Sequence, residues 1–274
     1  MITKNMIIEE LENRGFVVDT KIVVKNGIEK NAIIVKREED DRVEPTVYAE
    51  DIIRSSYEND MSLEEVIGGI VEIVSREFTF DINKLMDSDY FMEHGRVGIQ
   101  KEGTEALVKR HTQFEGIEEY LYMTDEYNGE SISIKVTPKM LEMWDISEDE
   151  AFNMAEDNTS KETTIKSMAE VISNMMGIEL ADDMNPLEQM YVISNKSNIK
   201  GASAILDTKA IGELAERFNV HEFVLLPSSI HECILVPKLE GMTMNDFENM
   251  VKEVNATTVS AEDKLIDRAY LMTA

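Results

Sequence analysis

The chain has 274 residues, 43% hydrophobic and 30% charged, and its 27 basic against 55 acidic residues leave a net charge of −28 at pH 7. That length suits one large domain or two small ones, and the composition suits a folded globular chain rather than a disordered one. The acid excess excludes a generally basic nucleic-acid binder and disfavours attachment to an anionic membrane.

One cysteine, Cys233, excludes an internal disulfide and any cysteine-built metal cage. His94, His111, His221 and His231 are scattered without metal-ligand spacing, so neither a metal nor a cofactor is expected. The opening Met1-Ile2-Thr3-Lys4-Asn5-Met6 runs into Glu9, Glu10 and Glu12, unlike a secretory signal. No stretch approaches the ~18 apolar residues of a membrane span. The expectation is a cytoplasmic, reduced, soluble protein. The 18 methionines are read as core filling, with Met175 and Met250 at helical spacing.

In chain order, residues 3–14 predict an amphipathic helix with Met6, Ile7 and Leu11 inward, stopped by Gly15. Two apolar runs, Phe16–Val24 and Ile28–Val35, flank Asn26-Gly27, a hairpin signal. The acidic string Glu38-Glu39-Asp40-Asp41 reads as a loop, and Pro45 as the start of a helix carrying Val47, Tyr48, Ile52 and Ile53. Ser62 and Glu65 have capping-box spacing ahead of Val66, Ile67, Ile70 and Val74, and Gly68-Gly69 within that helix predicts close packing against a neighbour. Helices are expected near 104–111 and 116–124. Ser131–Val136 alternates as a strand, followed by Thr137-Pro138 as cap and first helical residue. Ser147 and Glu150 form a second capping box, 163–176 reads as an amphipathic helix, and 177–186 as a connector.

Met190–Ser194 and Ile199–Leu206 read as strands, Asp207 as a helix cap, and Phe223–Leu226 with Cys233–Val236 as a second strand pair. Thr243 caps a helix with Phe247, Met250, Val251 and Val254 at i, i+3, i+4 and i+7. Strand–turn–strand–helix near 17–58 and again near 190–219 suggests two modules of similar build. The expected class is α+β, two modules of antiparallel strands covered by helices, divided as 1–128 and 129–274.

Reactive residues are densest in Leu226-Pro227-Ser228-Ser229-Ile230-His231-Glu232-Cys233. Ser228, Ser229, His231 and Glu232 are the candidate catalytic residues, as nucleophile, base and acid. In a regular strand, however, His231 and Glu232 project to opposite faces, and neither serine sits on a G-x-S-x-G elbow. The structural alternative is a turn fixed by Pro227 with its serines bonded to local backbone. The small run Gly201-Ala202-Ser203-Ala204 suits either close approach of a ligand or tight packing beneath the following helix; Asn195, Gly201 and Pro227 are the candidate binding residues. There is no phosphate-cradling glycine motif and no calcium loop. Glu148-Asp149-Glu150 and Asp182-Asp183 read as caps and surface.

The segment Phe223-Val224-Leu225-Leu226-Pro227-Ser228-Ser229-Ile230-His231-Glu232-Cys233-Ile234-Leu235-Val236-Pro237 resembles the hallmark of a bacterial family, domain-of-unknown-function family 5688. Lys25-Asn26-Gly27, Pro45-Thr46-Val47-Tyr48, Leu141-Glu142-Met143-Trp144, Ala155-Glu156-Asp157-Asn158-Thr159, Tyr191-Val192-Ile193-Ser194-Asn195, Gly201-Ala202 and Met250-Val251-Lys252-Glu253-Val254-Asn255 resemble it as well. The likeness is interrupted over 97–128, where it implies a more apolar, helical region. It implies a bacterial cytosolic protein and assigns no catalytic residues.

The leading expectation is a non-enzymatic protein-binding module using a face near Pro227–Glu232 and the Gly201 strand, with another protein as partner and neither nucleic acid nor membrane. A hydrolase using Ser228, His231 and Glu232, and an acidic mimic of nucleic-acid charge, are the alternatives.

Overall fold

A computed structural model describes residues 1–38, 45–75, 81–127, 130–177, 185, 189–227, 229–238 and 241–273. Three antiparallel sheets and their covering helices make an α+β protein, as the patterning implies. The chain divides into two compact units, Met1–Phe80 and Asp81–Ala274. The division expected at 128/129 falls instead between two strands paired from Tyr122↔Lys135 to Tyr127↔Glu130, so a cut there would split one ladder.

In the first unit, α1 (Lys4–Asn13) leads into β1 (Val17–Lys25) and β2 (Ile28–Lys36). The hairpin turns at Asn26 (φ 46°) and Gly27 (φ 77°), the pair of positive φ angles that Asn-Gly supplies most cheaply. Ile7 and Leu11 of α1 are buried against Ile33 and Val35 of β2, whereas Met6 is exposed. Pro45 does not open a helix. Thr46–Tyr48 forms β3, pairing with Ile34–Ala32 and completing the buried edge of β2, and α2 (Ala49–Glu58) starts only afterwards. The Ser62–Glu65 box caps α3 (Leu63–Ser75): Ser62 N donates to the Glu65 carboxylate at 2.8 Å, and Glu65 N to Ser62 Oγ at 3.3 Å. Gly68 and Gly69 face open space rather than a packed neighbour. Of the acidic loop at 38–41, residues 39–41 lie outside the described residues.

The second unit starts with a 3-10 turn (Ile82–Met86) and α4 (Ser88–His94), then a four-stranded sheet of β4 (Gly95–Lys101), β5 (Lys109–His111), β6 (Ile117–Tyr127) and β7 (Glu130–Lys135). These strands replace the helices expected near 104–111 and 116–124. Glu118 and Glu119, which resemble a solvated helix face in sequence, are buried mid-strand. Lys109 Nζ lies 2.9 Å from Glu118 and Arg110 Nε 2.5 Å from Glu119, both from the neighbouring β5. Burial pushes the Glu119 carboxyl up while Arg110 opposes that shift.

Next come α5 (Pro138–Trp144) and α6 (Glu148–Ser160). Phe152 and Ala155 of α6 pack with Val97, Leu121 and Met123 of the sheet. Thr163–Ser167 is a strand, β8, and only Met168–Met176 is helical (α7); β8 pairs with β9 (Tyr191–Asn195) instead of continuing a helix. Met175 on α7 is 82% exposed and Met250 lies at the surface, so neither fills a core. Most of the connector at 177–186 lies outside the described residues.

The five-stranded sheet runs β12 (Tyr270–Thr273), β10 (Glu222–Leu226), β11 (Cys233–Pro237), β9, β8. Interior strand β10 is buried on both faces. Phe223 and Leu225 meet Ile211 and Leu214 of α8 (Thr208–Phe218), while Val224 and Leu226 meet Phe247 and Val251 of α9 (Met244–Thr257). The Asp207 and Thr243 caps form as expected. Gly201–Leu206 is a 3-10 helix rather than a strand, so the second copy of the strand–turn–strand–helix pattern is absent.

Candidate functional site

The turn between β10 and β11 is tied to two other loops. Ile230 N donates to Asp263 O at 2.7 Å, Ala202 N to Ile230 O at 3.2 Å, and Ser194 Oγ to His231 O at 2.8 Å. Ser229 is buried; its Oγ accepts from His231 N at 2.9 Å, and its backbone bridges to Lys264. Pro227 is buried at the end of β10. Glu232 is exposed, and Ser228 lies outside the described residues. The regular strand begins only at Cys233. His231 and Glu232 therefore separate because the turn holds the imidazole inward, not because of a strand pleat.

The imidazole is held at one nitrogen. Lys200 N donates to His231 Nδ1 at 3.2 Å, which makes Nδ1 an acceptor and puts the neutral ring's proton on Nε2. Nε2 lies 3.4 Å from Asp263 Oδ1. A serine hydrolase needs one histidine nitrogen turned to the serine hydroxyl and the other to an orienting acid. Here the nitrogen that would face serine faces a backbone amide, and the Ser229 hydroxyl meets the backbone of His231 rather than its ring.

Asn195 and Gly201 belong to the same junction. Asn195 is buried; its side chain donates to Ile199 O at 2.9 Å and accepts from Ser197 Oγ at 3.0 Å, closing its own loop. A Cβ on Gly201 would sit 2.3 Å from Ser194 Oγ and 2.5 Å from Asn195 N. The close approach available to a small residue is thus taken by the backbone of β9.

An open groove lies elsewhere in the second unit. Leu107, Val108 and Lys109 line it together with Pro138, Leu141, Glu142, Asp145, Ile146, Ser147, Glu148 and Glu150, around about 570 Å³. A second depression of about 440 Å³ shares Asp145, Ile146 and Glu150 and adds Met92, Asn153 and Met154. The lining of the first groove mixes the apolar Leu107, Val108, Leu141 and Ile146 with four carboxylates, Glu142, Asp145, Glu148 and Glu150. Lys109, the one base in the lining, is committed to Glu118 and Gly103 O. Ser147 holds the Glu150 carboxyl below its ordinary range, through its hydroxyl and then its backbone amide. Asp145, at φ 55°, ends α5 and turns the chain into α6. Trp144, the single tryptophan, is buried directly before it, its indole donating to Leu85 O at 3.0 Å.

Among the described residues no group of three or more His, Cys, Asp or Glu is placed to hold a metal ion, and no helix is long and apolar enough to cross a membrane. A family model matches residues 2–273. The chain belongs to DUF5688, a family of unknown function. No curated protein and no solved structure matches it.

In this DUF5688 chain the structure brings Ser229, His231, Asn195 and Gly201 together at one junction and adds Asp263, Lys200 and Ser194, which the sequence reading had not singled out. Asp263 lies 32 positions from His231, so no local spacing signals it. The groove was missed for a different reason. Ser147 and Glu150 read as a helix start, and they form one, but the space between α5, α6 and the Leu107–Lys109 segment arises only on folding.

Proposed function

We propose that the protein is a non-enzymatic protein-binding module that takes a basic segment with apolar anchors from a partner protein into the groove beside α5 and α6. One observation carries the reading: an open groove lined by Leu107, Leu141 and Ile146 also carries Glu142, Asp145, Glu148 and Glu150, and Lys109, the one base in that lining, is committed to Glu118 and Gly103 O. Apolar side chains supply binding energy in such a groove, and a rim of one charge sets partner choice and encounter rate. Met92 and Met154 of the adjoining depression add adaptable side chains suited to a helical ligand. The bond from Lys200 N to His231 Nδ1 supports a non-catalytic role for the signature turn.

A cytoplasmic, bacterial setting belongs to the same proposal. It is supported by the resemblance of residues 223–237 and by the burial of the lone thiol, Cys233, whose pKa burial raises. The test is calorimetric titration of the full chain with an amphipathic lysine/leucine peptide of about four helical turns, beside a glutamate/leucine peptide of the same pattern. The expected result is saturable binding of the basic peptide alone, weakening as salt rises. Equal binding of both peptides, or of neither, contradicts the proposal.

A further inference from the structure

Strand β1 ends its sheet: among the described residues it pairs with β2 along its whole length and with no other strand. Nine residues of unpaired edge are long for a folded protein, which ordinarily shortens, bulges or covers such a strand. Its middle, Asp19 to Ile22, is exposed, and Ile22 is 66% exposed despite its size. Asp19 and Lys21 have no hydrogen-bond or ion-pair partner among the described residues.

The sequence of this edge is complementary to itself. Reading outward from Thr20, the neighbours are Asp19 and Lys21, then Val18 and Ile22, then Val17 and Val23. An antiparallel copy centred on Thr20 would set Asp19 opposite Lys21 twice, Val18 opposite Ile22 twice, and Val17 opposite Val23 twice. Every apolar residue meets an apolar one and every charge its opposite.

The backbone has the matching phase. Val35 N donates outward to Pro45 O at 3.0 Å, so Val35 makes no ladder bond to Val18, its partner on β1. By the alternation of an antiparallel ladder, the N–H and C=O groups of Val18, Thr20 and Ile22 point to the open edge. In the Thr20-centred register these residues fall in the hydrogen-bonding pairs. Asp19 and Lys21 fall in the intervening pairs, whose side chains lie closest.

We infer that the free edge of β1 pairs with the β1 edge of a second copy of this chain, antiparallel about Thr20, joining two three-stranded sheets into one of six strands. Two like surfaces related by a two-fold axis are the commonest way for identical chains to associate. The pairing shields Ile22 with Val18 of the other copy and gives both isolated charges a partner. It is independent of the groove.

The experiment is sedimentation equilibrium of the full chain at about 0.15 M salt, which shortens to about 8 Å the repulsion between two acidic chains. Thr20→Cys is oxidised in parallel: opposed Cα atoms about 5.5 Å apart fall within disulfide reach, and buried Cys233 serves as the silent control in the parent chain. The expected results are a species of twice 31.2 kDa, association weakened about tenfold or more by Asp19→Lys or Lys21→Asp alone, its recovery in the Asp19→Lys/Lys21→Asp double variant, and cross-linking of Thr20→Cys. Circular dichroism establishes that each variant is folded. A chain that stays at 31.2 kDa up to about 100 μM without cross-linking overturns the inference. So does a dimer that is indifferent to the single charge reversals.

Discussion

The turn at Pro227–Glu232 and the groove beside α5 and α6 are opposites. The turn lies in the segment densest in reactive side chains, yet among its described residues Ile230 is bonded to Asp263 and Ala202, and His231 accepts from Lys200 N and Ser194 Oγ and lies 3.4 Å from Asp263, while Glu232 stays exposed. The groove has no nucleophile–base set, yet it is open and sets four carboxylates beside apolar side chains, with no salt bridge to any of the four among the described residues. Reactive residue types mark a site only when their donors and acceptors remain available. A net hydrogen bond contributes about 1 kcal/mol and leaving a buried partner unpaired costs more, so a satisfied cluster stabilises the fold.

The sharpest way to break this contrast is Gly201→Ala. Its Cβ would press on Ser194 Oγ and on the backbone at Asn195, so a loss of about 3 kcal/mol is expected in urea unfolding. A neutral result would mean that the junction is loosely packed. His231→Ala should cost about 1–2 kcal/mol by stranding Lys200 N. His231→Asn keeps an acceptor near Nδ1 and should recover part of that loss, whereas a purely steric role would leave the two variants equal. At the groove, Glu142→Lys/Glu148→Lys should leave stability within about 0.5 kcal/mol while weakening a basic peptide about tenfold. The smallest effect belongs to Glu150→Gln. The Glu150 carboxyl is depressed in the folded state by Ser147, so its contribution is present above its ordinary value of 4.5 and lost as pH falls through its lowered folded value. The gap in Tm between wild type and Glu150→Gln should therefore be open at about pH 7 and close on acidification; a gap that widens in acid contradicts this capping role.

Local signals were legible wherever a few adjacent residues decide the outcome. The Asn26-Gly27 turn, the caps at Ser62, Ser147, Asp207 and Thr243, and the doubly buried run Phe223–Leu226 all follow from short-range chemistry. The failures occur where distant partners decide. Glu118 and Glu119 look solvated until β5 supplies Lys109 and Arg110. Thr46–Tyr48 becomes a strand because β2 offers an edge. Ile199–Leu206 looks like a strand by its apolar content, but Gly201 packed on β9 bends it into a 3-10 turn. Of the site, Asn195, Gly201, Pro227, Ser229 and His231 were visible, whereas Ser194, Lys200 and Asp263, which tie them together, were not.

The most direct test of the central claim follows Trp144 emission, beside the groove, during titration with the basic amphipathic peptide. Wild type, His231→Asn and Glu142→Lys/Glu148→Lys are compared side by side. The predicted result is saturable binding that is equal in wild type and His231→Asn and about tenfold weaker in the charge-reversed groove. Binding that disappears in His231→Asn and survives charge reversal would return the site to the turn and contradict the assignment to the groove.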